Sequence, residues 1–455
     1  MEEMSLNVIA QAIGVDYRGH ERMIADISSD SRNIPAGCVF VALEGDQFDG
    51  HTYVAEALDK GAAFAIVMRD MEDPGGRIFR VEDTRQALLD IAGAYRRERD
   101  VKVVAVTGSV GKTTTKEMVA CVVSAGYETL KTQMNLNNEI GLSQTVLQLT
   151  NRHRASVLEM GMDGPGQIAP LSRCASPDVG VITNVGVSHM ETLGSQKNIM
   201  REKLDIRAGM KDGTTLVLSA DDDMLRDVRD DRLNLIFYAT ESKQADIRAE
   251  KIKSFSTHTT FELLYDGKGY DAQIPTMGRH NVQNALAAFA VGIALGLNPA
   301  RVILALRNYK PAGMRQNIVP HAGFTVVEDC YNAAPDSMRA ALEALRDIRA
   351  NGRKVLVLAD MLELGGVELQ AHYDVGMLAA NCDVDLLLCT GPLACEYVKG
   401  ALAGGMNSSV VNHFKTRDDL FEFLHGVIRE EDIIWVKGSR GMHLERLLER
   451  IYREC

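Results

Sequence analysis

The residues best suited to chemistry on phosphate lie in Thr107-Gly-Ser-Val-Gly-Lys-Thr-Thr114. In a glycine turn that opens a helix, backbone N–H groups point at phosphate oxygens, and Lys112 adds a positive charge. A hydroxyl of Thr113 or Thr114 can face Mg²⁺. Upstream, the β-branched run Val103–Thr107 reads as a buried strand; downstream, Met118, Val119 and Val122 recur at helix spacing. The general pattern G-x-x-x-x-G-K-[ST] is met except at its first glycine, where Val106 stands. An ordinary glycine turn with an exposed lysine is the bland alternative, and the strand and helix context favours a nucleotide cradle.

Other reactive side chains sit where strands end. Glu159 closes the strand pattern Ala155–Glu159 just before Gly161, so its carboxylate belongs at the mouth of a parallel sheet. There it can reach a second Mg²⁺ beside a triphosphate, or remain a solvated loop glutamate. His189 follows the strand pattern Val179–Asn184, and a lone histidine of this kind is more often structural than a ligand. Lys203, in Arg201-Glu-Lys-Leu-Asp205, reads by itself as a surface lysine on a helix.

The elements that must position these groups fall into three segments, as a chain of 455 residues suggests. Up to about Val81 there are short strands, Cys38–Leu43 and Ala63–Val67, around a polar loop from Glu44 to His51. Asp83–Glu98 predicts a helix with Leu88, Leu89, Ala92 and Tyr95 on one face. The middle segment alternates strands and helices, which predicts a mostly parallel sheet covered on both faces. A more β-like stretch, Ser254–Ile274, precedes a helix over Asn281–Ala294, and Tyr309–Met314 reads as a hinge. The third segment alternates again, with strands at Phe324–Asp329, Lys354–Asp360, Val384–Thr390 and Ile433–Val436 and a helix at Ser337–Ile348. It lacks G-x-G-x-x-G, which speaks against a bound dinucleotide. The fold class is therefore α/β with three domains: a small mixed α/β domain at 1–83, a central P-loop ATPase-like parallel-sheet domain at 84–310, and a Rossmann-like domain at 311–455.

Composition narrows the partners. A net charge of −12 and no basic run argue against nucleic acid. Met1–Asp16 has no basic region followed by an apolar core, and no apolar run is long enough for a bilayer, so a cytoplasmic protein without a membrane span is expected. The eight cysteines show no C-x-x-C pair and read as reduced thiols.

Taken together, Thr107–Thr113, Asn135-Leu-Asn-Asn-Glu-Ile-Gly141, Leu158-Glu-Met-Gly161, Ser188-His-Met-Glu191, Gly278-Arg-His-Asn-Val-Gln-Asn284 and Lys437-Gly-Ser-Arg440 resemble the Mur ligase family, over essentially the whole chain. That family uses ATP to build the peptide stem of bacterial cell-wall precursors. The resemblance implies ATP bound by Thr107, Gly108, Ser109, Val110, Gly111, Lys112, Thr113 and Thr114. It adds Asn137 or Asn138 near the γ-phosphate, His280 and Asn284 near adenine, Arg315 past the hinge, and Asp329 near ribose and phosphates. It also implies two Mg²⁺ ions held by Thr113 or Thr114, Glu159, His189 and Lys203, the lysine being carbamylated by CO₂. Lys112, Glu159, His189 and Lys203 would be the catalytic set. Forming a carbamate first requires a lysine of ordinary pKa about 10.4 to lose its proton, at a cost of roughly 4–5 kcal/mol at pH 7.

Within the family, Asp30-Ser-Arg-Asn and Phe48-Asp-Gly-His51 resemble the UDP-sugar-binding domain of the last two stem ligases. Ser31, Arg32, Gly45, Phe48, Asp49 and His51 are its candidate contacts; without the resemblance, Asp30–Arg32 reads as a turn whose aspartate caps its own backbone. No Asp-Asn-Pro-Arg motif for a diamino acid occurs. Instead Asp329-Cys-Tyr-Asn-Ala-Ala-Pro-Asp-Ser-Met338 and Ala359-Asp-Met-Leu-Glu-Leu-Gly365 point to the member that joins D-alanyl-D-alanine to UDP-N-acetylmuramoyl-tripeptide, with Tyr331, Asn332 and Asp360 meeting the dipeptide. Ala359 stands where a glycine is common and Ala334 where an asparagine is common. The alternatives are the sibling that adds the third residue, a folate-type ligase, a non-catalytic UDP-sugar binder and a nucleotide switch; the last lacks Asn-Lys-x-Asp here. A monomer is the family default.

Overall fold

The computed structural model describes residues 1–455 except Asp46 and Pro74, and gives Glu191 without its side chain. Three sheets follow one another along the chain. The first has four short parallel strands in the order Ile27–Ser28, Val39–Val41, Phe64–Val67, Ile78–Arg80. The helix Thr84–Arg97 then leads towards the second sheet. Asp83 starts it by accepting from the N–H groups of Arg85 and Gln86, and Arg96 and Arg97 in its last turn complement the helix dipole.

The central sheet has nine strands in the order Thr129–Lys131, Ala155–Glu159, Lys102–Thr107, Val179–Ile182, Thr215–Ser219, Asn234–Ala239, Ile247–Ser254, Thr259–Tyr265, Lys268–Ile274. The first seven run parallel, and the last two add an antiparallel extension. Alternation in Lys102–Thr107 explains the layers. Val103 and Ala105 join a core with the helices Thr84–Arg97, Glu139–Leu147 and Ile168–Ala175, while Val104 and Val106 pack with Lys112–Ser124 and Arg279–Ala294. Val39, Val41 and Phe64 of the first sheet share the former core, so one apolar body spans the first two sheets. Burying both faces requires β-branched and apolar residues throughout, which is what these strands contain.

The third sheet has six strands in the order Asn317–His321, Phe324–Asp329, Ile433–Lys437, Lys354–Ala359, Leu386–Thr390, Val411–Phe414; only the first is antiparallel to its neighbour. Leu356 and Leu358 face one core, Val355 and Val357 the other.

Some boundaries differ from the expected ones. The strand expected to reach Asn184 ends at Ile182, because Thr183 and Asn184 turn away to bond the phosphate loop. The helix expected from Ser337 begins at Pro335, where proline suits the first helical turn, and ends at Asp347. The third-segment strand expected from Val384 starts at Leu386. The predicted hinge, Tyr309–Met314, is irregular chain between the helix Pro299–Arg307 and the strand Asn317–His321. All eight cysteines are free thiols, and no helix among the described residues is long and apolar enough to cross a membrane.

Candidate active site

The phosphate loop hangs between two strand ends. Lys102–Thr107 delivers it, and the neighbouring strand Val179–Ile182 fastens it through Thr183 and Asn184. The Asn184 side chain accepts from the Val110 N–H at 2.9 Å and donates back to the Val110 carbonyl at 2.9 Å, while the Thr183 hydroxyl donates to that carbonyl at 2.7 Å. Gly108 has φ +151°, and a Cβ there would lie 1.9 Å from the Thr183 hydroxyl oxygen. A glycine is therefore obligatory at that position. Gly111, with φ +83°, opens the helix Lys112–Ser124. Lys112 folds back over the loop, donating to the carbonyls of Gly108 at 2.9 Å and Ser109 at 3.2 Å.

Glu159 faces this helix from the adjacent strand. It is 2% exposed, and its Oε1 accepts from the Asn137 amide at 2.9 Å and the Thr113 hydroxyl at 3.3 Å. Its Oε2 is buried with no hydrogen-bond partner among the described residues. An orphaned carboxylate oxygen beside a threonine hydroxyl fits a hard divalent cation. The choice between Asn137 and Asn138 also becomes visible here. The Asn138 side chain accepts from the Gly141 N–H at 2.9 Å and caps the helix Glu139–Leu147, whereas Asn137 turns to Glu159. Thr114 is half-buried on the first turn of Lys112–Ser124.

Lys203 is not a surface lysine. It is 1% exposed on the helix Gln196–Leu204, and its ammonium makes no hydrogen bond or ion pair with a described residue. Burial, then the nearby Lys112 charge, pushes it down to about 7, against the opposing pull of Glu202. His189 is likewise pushed down by burial and by Lys112 and Lys203, with Asp163 opposing. Lys112 is lowered by burial and Arg315, while Glu159 and Asp163 favour its charge. Lys112, His189, Lys203, Glu159, Asp163 and Arg315 thus form one electrostatic cluster at the carboxyl ends of the central strands.

A hydrogen-bonded chain links this cluster to the third sheet. The Thr115 hydroxyl donates to Asn284 at 3.0 Å, Asn284 donates to Asn281 at 3.1 Å, and Asn281 donates to the Gln316 side chain at 2.7 Å. Gln316 in turn meets His280 Nε2 at 2.9 Å. Burial pushes His280 down to about 4. Arg315 lies over the Tyr331 ring, 4.1 Å from its centroid. Asp329 is paired with Lys437 at 2.9 Å and accepts from the Trp435 indole at 3.3 Å, both at Oδ2. Asn332 is exposed; its side chain accepts from the Ala333 N–H at 2.9 Å. Asp360 is 2% exposed, with one oxygen on the Leu393 N–H at 3.2 Å and the other unpartnered; burial raises it.

The remaining candidates lie beside the first sheet, with Gly45, Phe48 and Asp49 on a separate two-stranded hairpin that pairs Glu44–Gly45 with Phe48–Asp49. His51 is buried: its Nδ1 pairs with Asp49 at 2.7 Å and its Nε2 accepts from the Met68 N–H at 3.0 Å, so both ring nitrogens are engaged within the fold. Asp49 also holds Arg69 at 2.7 Å, and Arg69 reaches Glu44 as well. That arginine supplies the cation to the only Glu/Asp/His cluster found among the described residues. Asp30 caps the Arg32 N–H at 3.0 Å and grips its guanidinium, as the turn reading describes; these bonds hold Asp30 down to about 2. Ser31 offers its carbonyl to Lys60 at 3.0 Å. Phe48 is 54% exposed beside Gly45. Asp46 of this loop and the Glu191 side chain lie outside the described residues.

Asp163, Asn184, Asn281, Gln316 and Lys437 were not singled out from the sequence as single residues. Asn184 could have been, since it stands just past a strand end; Gln316 offers no local signal.

A P-loop on a parallel sheet, facing an orphaned carboxylate and a buried lysine and bridged to a Rossmann-like unit, defines a class of ATP-handling enzyme, and the comparisons name it. Residues 23–96 match the model for the Mur ligase family catalytic domain, 106–292 the Mur ligase middle domain, and 314–440 the Mur ligase, glutamate ligase domain. This chain belongs to the Mur ligase family. It is 35% identical over 434 residues to the UDP-N-acetylmuramoyl-tripeptide–D-alanyl-D-alanine ligase of Bacillus subtilis (strain 168), covering 94% of this chain and 93% of that one. It is 31% identical to the enzyme of the same name from Escherichia coli (strain K12), covering 99% of each. A crystal structure of MurF from Acinetobacter baumannii superposes with a TM-score of 0.88 at 30% identity over 100% of both chains. The MurF ligase of Thermotoga maritima in complex with ADP gives 0.85 at 29% identity, covering 94% of this chain and 97% of that one.

Proposed function

We propose that this chain is an ATP-dependent ligase that joins D-alanyl-D-alanine to UDP-N-acetylmuramoyl-tripeptide, a step in building the peptidoglycan stem. The observation that carries the reading is the convergence of Lys112, Glu159, His189 and Lys203 on one phosphate loop, in a chain that aligns end to end with ligases of that name. The sibling that adds a third residue is not favoured, and a nucleotide switch has no use for a third sheet bridged to the loop.

The reaction brings a substrate carboxylate to the γ-phosphorus of ATP, forms an acyl phosphate as ADP leaves, and lets the neutral dipeptide amine attack the acyl carbon, so that the amide forms with release of phosphate and a proton. Carboxylate and triphosphate repel each other. Lys112, now resting on loop carbonyls, is placed to swing onto phosphate oxygens instead, and the loop N–H groups hold the rest. Mg²⁺, when bound, neutralises charge between the two anions. Thr113 or Thr114, Glu159 and His189 are the side chains that would hold it, with Lys203 as a fourth. As an ammonium Lys203 would repel a dication. An amine pushed down to about 7 is half neutral near physiological pH, so its lone pair can add CO₂ and release a proton, giving an anionic carbamate.

In this reading Asn284 and His280 would meet the adenine side and Arg315 would reach the nucleotide, with Asp329, Tyr331, Asn332 and Asp360 contributed by the third unit. Residues 1–83 would hold the UDP-sugar, 84–310 ATP and 311–455 the dipeptide. Arg32 and Phe48 are the exposed candidates of the first unit and Ser31 and Gly45 are half-buried beside them, while Asp49 and His51 serve by shaping its loop. The test is product mass. With ATP, UDP-N-acetylmuramoyl-tripeptide and D-alanyl-D-alanine, the expected product is heavier by one dipeptide less water; an unchanged tripeptide would overturn the reading.

A further inference from the structure

Asp336 stands on the first turn of the helix Pro335–Asp347, yet it reaches across to the phosphate loop. A Cβ built on Gly186 would lie 2.6 Å from its Oδ2 and 3.2 Å from the Cβ of Ser109 in that loop. Gly186 itself donates its N–H to the Ser109 hydroxyl at 2.9 Å, so the three residues meet at the cradle's edge. Gly186 has no positive φ, and a side chain there would meet the Asp336 carboxylate and the Ser109 side chain.

The carboxylates around this mouth differ in what they already hold. Glu159 takes Asn137 and Thr113, Asp163 faces Lys112 and His189, and Asp329 is tied to Lys437. Asp336 is half-buried, and its carboxylate has no hydrogen bond or ion pair to a described residue. Meanwhile the surrounding positive charges, Lys112, Lys203 and Arg315, act against any further cation entering.

The incoming nucleophile is such a cation. An α-amino group has a pKa near 7.7–8.0, so it arrives at neutral pH mostly as an ammonium. It must stop beside the γ-phosphate end of the loop, and it must be offset by a carboxylate on the side from which it comes. We infer that Asp336 binds the ammonium of the incoming amine substrate and sets it against the phosphate loop. This rests on the ligase reading above and adds to it the group that receives the amine. Its place in the first turn of a helix also suits the helix dipole, so a purely structural role must be separated by experiment.

The experiment is steady-state kinetics of Asp336→Asn, Asp336→Ser and Asp336→Glu beside the parent, using whichever amine the parent consumes. Asp336 is the second residue of the helix, after the cap at Ala334 and Pro335, so no variant removes the cap, and a thermal melt of each variant beside the parent checks that folding is kept. The expected result is a KM for the amine raised by about tenfold or more in the Asn and Ser variants, with KM for ATP unchanged and partial recovery in the Glu variant. A second arm measures, by calorimetry without ATP, binding of the free and the N-acetylated dipeptide: the parent should prefer the form with an ammonium, and the Asn variant should not. An unchanged amine KM in the Asn and Ser variants, or retained preference for the ammonium, would overturn the inference. If the parent consumes a different amine, the ligase reading fails while the role of Asp336 is still decided.

Discussion

His280 shows how one side chain can report on the contact between two parts of the molecule. Gln316 offers an amide N–H to His280 Nε2 at 2.9 Å, so that nitrogen must be the acceptor and the ring neutral. With burial pushing it down to about 4 from an ordinary 6.5, the unfolded chain binds the extra proton first as pH falls. Stability from this residue is therefore complete above 6.5, falls between 6.5 and 4, and is lost below that, by up to about 3 kcal/mol. Thermal melts of the parent should drop over that window, and His280→Gln should drop less; identical profiles would contradict the assignment. Lys203 makes a second residue-scale case. Lys203→Ala should abolish turnover, and short carboxylic acids added to the assay should restore part of it by supplying an oxygen ligand where the carbamate would stand. Normal turnover in the alanine variant would remove the lysine from the mechanism.

At the scale of elements, the helix that presents Lys203 is anchored by its neighbour in sequence. Glu202 is buried and accepts three backbone N–H groups, from Gly166 at 2.7 Å, Gln167 at 2.8 Å and Ile168 at 2.9 Å, at the start of the helix Ile168–Ala175. Two elements are thereby locked together next to the loop. Glu202→Ala should lower unfolding stability by about 2–4 kcal/mol, read from denaturant midpoints, and cut turnover further than the stability loss explains. Glu202→Gln should retain part of both. Elements of this kind were legible in the sequence to different depths. The strand ends carrying Glu159 and the phosphate loop were readable because buried parallel strands need runs such as Val103–Val106, and ligands gather at their carboxyl ends. The burial of Lys203 was not: Arg201-Glu-Lys reads as a solvated helix face, and the backbone groups that anchor that helix through Glu202 lie 34 to 36 positions upstream. Asn137 and Asn138 were interchangeable until the helix cap claimed the second. His51 and Asp49 were candidates through the likeness of Phe48-Asp-Gly-His51 to a UDP-sugar-binding segment, and their bonds to Met68 and Arg69 across the fold could not be read from the sequence.

The whole molecule works by bringing three sheets to one place. The first two share a core, so the N-terminal and central units are held firmly to each other. Among the described core residues the third shares with them only the buried Met277, and it reaches the phosphate loop by polar contacts: Gln316 to Asn281 and His280, Arg315 to the field of Lys112, and Asp336 beside Gly186. Polar bridges beyond an irregular linker suit a unit that opens and closes over the loop. Gln316→Ala removes two of these bonds, and it should raise KM for ATP several-fold while leaving the melting of the first two sheets unchanged.

Phosphate release from ATP tests the central claim most directly, scored with the UDP-muramoyl-tripeptide and D-alanyl-D-alanine together and with each alone. Release that requires both substrates is the predicted result. Release with a single amino acid on a shorter UDP-peptide, and none with the dipeptide, would contradict it and assign the chain to the ligase that adds the third residue.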